Sequence, residues 1–141
     1  MQFEVRANEK KRFLEAINKR VDAKLNDVVD EIFMRATDNL ATKRITDTGF
    51  LAGSGSVNHE FLRKELIFKA GYAGRIEFGS PPHYVSPKQL VKWVHRKIGL
   101  SDDEAWGMAY AVSKKIGEQG TEPHPFLTPA IQSVKIRFGG A

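Results

Sequence analysis

No cysteine occurs anywhere in the chain. That excludes a disulfide frame, thiol chemistry and a thiolate metal site together. No apolar run approaches the roughly 18 residues that a membrane-spanning helix requires. The opening residues, Met1-Gln2-Phe3-Glu4-Val5-Arg6, lack the apolar core of a signal peptide, so no membrane role is expected. Histidine is sparse. His59, His83, His95 and His124 have no ligand spacing, and each reads as a surface or loop side chain.

The motifs of the common catalytic sites are missing too. His59-Glu60-Phe61-Leu62-Arg63 starts like a zinc-protease helix but has arginine where the second histidine must stand. Gly53-Ser54-Gly55-Ser56-Val57 is neither a nucleophile elbow nor a dinucleotide fingerprint. No glycine-rich loop ends in lysine and Ser/Thr. The carboxylates Asp102, Asp103 and Glu104 sit together at a helix start, where the helix dipole accounts for them without catalysis. The expectation is a protein that is not an enzyme, with no cofactor and no metal.

At 141 residues the chain has the length of one domain, and its net charge of +5 permits acidic partners, nucleic acid included. Met1 to Arg6 alternates and reads as an edge strand. From Asn8 the period changes. Phe13, Leu14, Ile17, Val21, Leu25, Val28, Ile32, Ala36 and Leu40 recur at three and four residues, which predicts one helix over 8–41 with Asn8 as its cap. Such a helix is about 50 Å long. It either packs partly on a neighbouring subunit or breaks near Thr37-Asp38-Asn39.

A sheet is predicted over 48–80. Asp47-Thr48-Gly49 signals a turn, and Phe50-Leu51-Ala52 opens a new segment. Gly53-Ser54-Gly55-Ser56 is either a loop tip or a strand lying close to another backbone. Leu62 to Ala70 alternates, with Leu62, Leu66, Phe68 and Ala70 on one face. Tyr72 to Ser80 reads as a short strand bent by Gly74 and Gly79, ended by Pro81-Pro82 and paired with 62–70 across Gly71. Glu77 stands there as a strand-edge carboxylate.

A helical hairpin is predicted over 86–119. Ser86-Pro87-Lys88-Gln89 and Ser101-Asp102-Asp103-Glu104 are both capping boxes, and Gly99 is placed to end the first helix. Leu90, Val91, Val94 and Ile98 line one helix; Ala105, Met108, Ala109, Val112 and Ile116 line the other, which Gly117 and Gly120 stop. Trp93, Trp106 and Tyr110 flank these faces, either widening the core contact or serving as interface anchors. Lys88, Lys92 and Arg96 form a stripe at spacings of four, either phosphate-facing or simply solvated. Residues 120–130 hold three prolines and read as an extended segment anchored by Phe126 and Leu127. Thr128 and Pro129 start a short last helix, and 131–141 is that helix or a frayed basic tail.

The fold class is therefore α+β: a long N-terminal helix on a small, curved, mostly antiparallel sheet, then a helical hairpin and a short last helix in a single domain.

Three blocks together resemble the tail-completion or head–tail joining proteins of tailed bacteriophages. The first is Asp47-Thr48-Gly49-Phe50-Leu51 with Ser54 and Ser56. The second is Tyr72-Ala73 through Ile76-Glu77-Phe78-Gly79-Ser80. The third is Gly120-Thr121 through Pro123, Pro125-Phe126-Leu127 and Pro129-Ala130. Phe50 departs from the pattern, which more usually has a polar or basic residue, and so does the glycine-rich 53–55 loop. The resemblance implies a structural subunit of a ring, commonly hexameric, at the head-proximal end of the tail. Its expected partners are further copies of itself, head-completion or connector proteins, and tail-tube or terminator proteins, with passing contact to DNA. Its expected location is the virion neck, after synthesis in the host cytoplasm. Under it, Tyr72, Arg75, Glu77, Phe78, Gly79, Pro125, Phe126 and Leu127, with Trp93 and Trp106, are expected at subunit or partner contacts. A head-completion or stopper protein is the alternative within the same class. A small basic nucleic-acid-binding protein using Lys88, Lys92 and Arg96 is the alternative from another.

Overall fold

The computed structural model describes residues 6–43 and 49–138, and of residues 136–138 the backbone alone. The expected strand at Met1–Val5 and the turn at Asp47-Thr48 lie outside the described residues. The α+β architecture is present, with helix dominant. In chain order the elements are α1 (Ala7–Thr42), α2 (Phe50–Gly53), β1 (Gly55–Glu60), β2 (Arg63–Phe68), α3 (Ala73–Phe78), α4 (Pro87–Ile98), α5 (Asp102–Gln119) and α6 (Leu127–Phe138).

Helix α1 runs unbroken for 36 residues, straight through Thr37-Asp38-Asn39. Its cap position is Arg6, whose amide donates to Glu9 Oε2 at 3.0 Å. Thr37 can sit mid-helix because its hydroxyl donates back to the Phe33 carbonyl at 2.9 Å, so no polar group is stranded.

The sheet is smaller than expected. It is one antiparallel hairpin in which β1 pairs β2, with Gly55 opposite Phe68 and Glu60 opposite Arg63. The partner of 63–68 is thus the segment before it, not Tyr72–Ser80. Its two-residue connection, Phe61-Leu62, carries none of the usual Asn-Gly chemistry, and Leu62 takes a φ of 59°. Gly55 opens β1 because a Cβ there would come within 2.6 Å of the Phe33 ring and 2.8 Å of the Phe68 ring. The close approach is to side chains of α1 and β2.

Residues 73–78, expected as a strand, form the short helix α3. Ala73 and Ile76 pack on the main core and the adjacent Glu77 is buried. A strand sends neighbouring side chains to opposite faces, so it cannot turn both Ile76 and Glu77 inward; one helical turn can.

Among the described residues, two apolar clusters organise the fold. The larger joins Ala36 and Leu40 of α1, Leu51 of α2, Ala70, Phe126 and Ala130. Phe126 meets Phe68 edge-on with ring centres 5.1 Å apart. The second holds Val91 and Val94 of α4 against Ala105 and Ala109 of α5, with Trp93 partly buried against it. This is the expected hairpin. Gly99 ends α4 at φ 72°, and Ser101 and Glu104 form the capping box of α5. Ser86 caps α4 without a side-chain hydrogen bond, and α5 runs through Gly117 to stop at Gly120.

Candidate functional site

The residues of the three sequence blocks meet in one region. Leu51 of the first block packs in the core that Phe126 and Ala130 of the third complete. Ser54 ties the first block to the end of β2: its carbonyl accepts from Lys69 N at 3.1 Å and its Oγ from Ala70 N at 3.2 Å. The second and third blocks are joined more closely still. Ser80 and Thr121 form an antiparallel bridge, exchanging two backbone hydrogen bonds of 3.0 Å, with their hydroxyls 2.8 Å apart. Gly79 and Gly120 precede these residues at φ of 72° and 74°. A Cβ on Gly79 would lie 2.5 Å from the Thr121 carbonyl oxygen, and one on Gly120 would run into Ser80 O. Only glycine combines that backbone with that proximity.

Glu77 is the centre of the region. Its Oε2 accepts from the amides of Phe126 (2.8 Å) and Leu127 (2.9 Å), and its Oε1 from Thr128 N at 2.8 Å. These are the free amides at the start of α6; the next residue, Pro129, has none. A carboxylate from α3 therefore caps a helix about 50 residues further along the chain, where the helix dipole favours negative charge. Burial pushes the Glu77 carboxyl up. The Thr128 side chain and the amides of Leu127, Phe126 and Thr128 more than reverse that, holding it below the usual glutamate range. From the other side, Asn39 Nδ2 donates to Phe126 O at 2.9 Å and Lys43 Nζ to Pro125 O at 2.8 Å. The start of α6 is thus clamped between α1 and α3.

This geometry corrects the strand-edge assignment of Glu77. With 5% and 2% of their surface exposed, Glu77 and Phe126 lie inside the chain's own fold and have no face to offer a neighbour. Gly79 likewise approaches Thr121–Pro123 of its own chain. Pro125 and Leu127 are half-buried. The other expected contact residues do reach the surface: Phe78 is 77% exposed, and Tyr72 and Arg75 are exposed beside it. Phe50, itself exposed, packs its ring 6.4 Å from that of Tyr72. Phe78, with Leu127 and Ile131, lines a groove of about 240 Å³ between α3 and α6. Trp93 is half-buried, whereas Trp106 is exposed and stacks near Tyr110 at 6.0 Å. Lys88, Lys92 and Arg96 lie on the exposed side of α4, away from Val91 and Val94.

Asn39, Lys43 and the capping role of Glu77 escaped the sequence reading. The sequence pointed away from that role: Thr128 and Pro129 read as a cap and first position, whereas α6 starts at Leu127, leaving the amides of Phe126, Leu127 and Thr128 to find an acceptor elsewhere.

Chemically the region binds its own backbone. Ser80 Oγ lies 3.2 Å from His83 Nδ1, but the same nitrogen faces Pro81 O at 3.0 Å. A carbonyl can only accept, so that nitrogen carries the proton and is no base for the serine. Among the described residues, no group of three or more His, Asp or Glu side chains is placed to hold a metal, and no helix is long and apolar enough to cross a membrane. The chain matches no protein-family model, no curated protein and no solved structure with which it was compared.

Proposed function

We propose that this chain is a structural, non-enzymatic subunit of the head–tail joint of a tailed bacteriophage. It forms a ring, hexameric by resemblance, at the head-proximal end of the tail, and docks the tail on the capsid connector. One observation carries the reading: residues of the three blocks behind the resemblance, scattered over some 80 residues of sequence, converge on the region around Glu77 and the Ser80–Thr121 bridge. A signature concentrated in fold-holding contacts suits a protein whose task is shape. The face this region turns outward, with Tyr72 at the cap of α3, Arg75 and Phe78 on it and Phe50 beside Tyr72, offers the exposed aromatic area that protein interfaces favour. The test is electron microscopy of particles made without this chain. Filled heads and unattached tails are the expected result; normally tailed, infectious particles overturn the reading.

A further inference from the structure

The N-terminal part of α1 stands clear of the other described residues. Asp22, Asn26 and Asp30 are the residues of α1 that meet the tip of the hairpin, through Lys64, Leu62 and His59. Before them, every residue from Arg6 to Val21 is exposed, about 24 Å of helix. This stretch still carries an apolar stripe: Phe13 is 66% exposed, Leu14 57%, Ile17 38% and Val21 44%. At 100° per residue the stripe points roughly a third of a turn away from the face that Val29, Ala36 and Leu40 bury. Val28 and Ile32, half-buried further along α1, lie on the stripe's line, and Ile32 packs on the core, so the same side of the helix is covered there and left open here. Arg6 and Lys10 lie on that line at the N-terminal end, with Glu9 beside them.

A matching surface lies on α5. Asp103, Trp106, Gly107, Tyr110 and Lys114 share one exposed face. Trp106 and Tyr110 form an aromatic ledge there, and the space over Gly107 between them is open. The acidic first turn, Asp102-Asp103-Glu104, closes one end of it. The spacing of this face, at residues 103, 106, 107, 110 and 114, repeats that of the stripe at residues 10, 13, 14, 17 and 21. Laid parallel, the two helices put Lys10 over Asp103, Phe13 and Leu14 over Trp106 and Gly107, Ile17 over Tyr110, Val21 over Lys114 and Glu9 beside Asp102. Gly107 then lets the docked helix sit close between the rings.

We infer that the projecting half of α1 docks on the Trp106–Tyr110 ledge of α5 in a second copy of this chain. The two faces are different patches of the subunit, so the contact is head-to-tail and generates a chain or a closed ring of copies. It rests on the ring reading above for closure; the docking stands on the matched spacing and the opposite charges. The basic end of the stripe, Arg6 and Lys10, against the acidic turn at one end of the ledge also favours this contact over side-by-side parallel pairing of two α1 helices, which would set Lys10 against Lys10.

The test places a photoreactive benzoyl-phenylalanine at position 17 of the full chain, mixed with an isotope-labelled copy and irradiated over a range of protein concentrations. The expected product is a cross-link between copies at residues 106–110. Lys10→Glu lowers its yield about two- to fivefold, and Asp103→Lys on the partner copy restores it. A cross-link between two α1 helices, one to residues 1–5 of the same copy, or an uncross-linked monomer, including one that binds anionic phospholipid vesicles instead, overturns the proposal. Position 17 is exposed and far from both cores, so the substitution leaves the fold intact. If rings form without this cross-link, the contact fails and the ring survives. If the cross-link forms but particles tail normally without the chain, the phage role fails and the contact survives.

Discussion

Glu77 exchanges its water for three amides that have no other acceptor, which makes it the side chain on which the start of α6 depends. Glu77→Ala leaves those donors unpaired, and a loss of about 2–4 kcal/mol in urea unfolding is expected. Glu77→Gln keeps the shape and one acceptor oxygen and should lose less. The pH dependence has a definite sign. The folded-state value lies below the ordinary 4.5, so ionised Glu77 contributes its full stability above that value and loses it as the pH falls through the lower folded one. Asp22, held low by Lys64 and the Leu62 amide, acts in the same direction. Unfolding midpoints measured from pH 6 down to about pH 3 should fall in the parent and fall less steeply in Glu77→Gln. Leu62 is the other telling residue. A left-handed leucine is strained by about 1–2 kcal/mol, and Asp22 Oδ1 holds it there by accepting its amide at 2.7 Å. Leu62→Gly should raise stability by up to about 1 kcal/mol, read in the same unfolding assay.

Elements divide by how far their stabilising contacts reach. The long helix, the capped α4–α5 hairpin and the stop at Gly99 were legible because periodicity and caps act within a turn or two of the chain. The β1–β2 pairing was not, since Phe61-Leu62 bears no turn signal and the restraint comes from Asp22, 40 residues away. Residues 73–78 fitted a strand as well as a helix, for six residues are too few to tell the periods apart. The two halves of α1 should respond differently. Ile17→Asp and Val21→Asp should leave thermal stability within about 0.5 kcal/mol of the parent, whereas Leu40→Ala, at a fully buried site, should cost about 2–5 kcal/mol.

In the whole molecule, two cores are linked by a narrow set of contacts. The Ser80–Thr121 bridge, Ser113 Oγ donating to Val85 O at 2.6 Å, and His83 N donating to Ile116 O at 3.3 Å connect the helical hairpin to the main body. Gly120→Ala drives a methyl into the Ser80 carbonyl and should destabilise by roughly 2 kcal/mol or more, with faster hydrogen exchange at Ser80 and Thr121. Of the candidate site, sequence alone identified the blocks and the aromatic residues but assigned Glu77 and Phe126 to the wrong side of the surface. Local chemistry decides what a six- to twelve-residue window can hold: helix periods, caps, glycine stops and the absence of thiols. Tertiary structure decided which side chains were left facing water and which were turned inward, because burial is settled only when segments 50 or 80 residues apart meet. That is why a carboxylate that looked like a free strand edge is the cap of a distant helix. It is also why half of a helix that looked like core is left facing water.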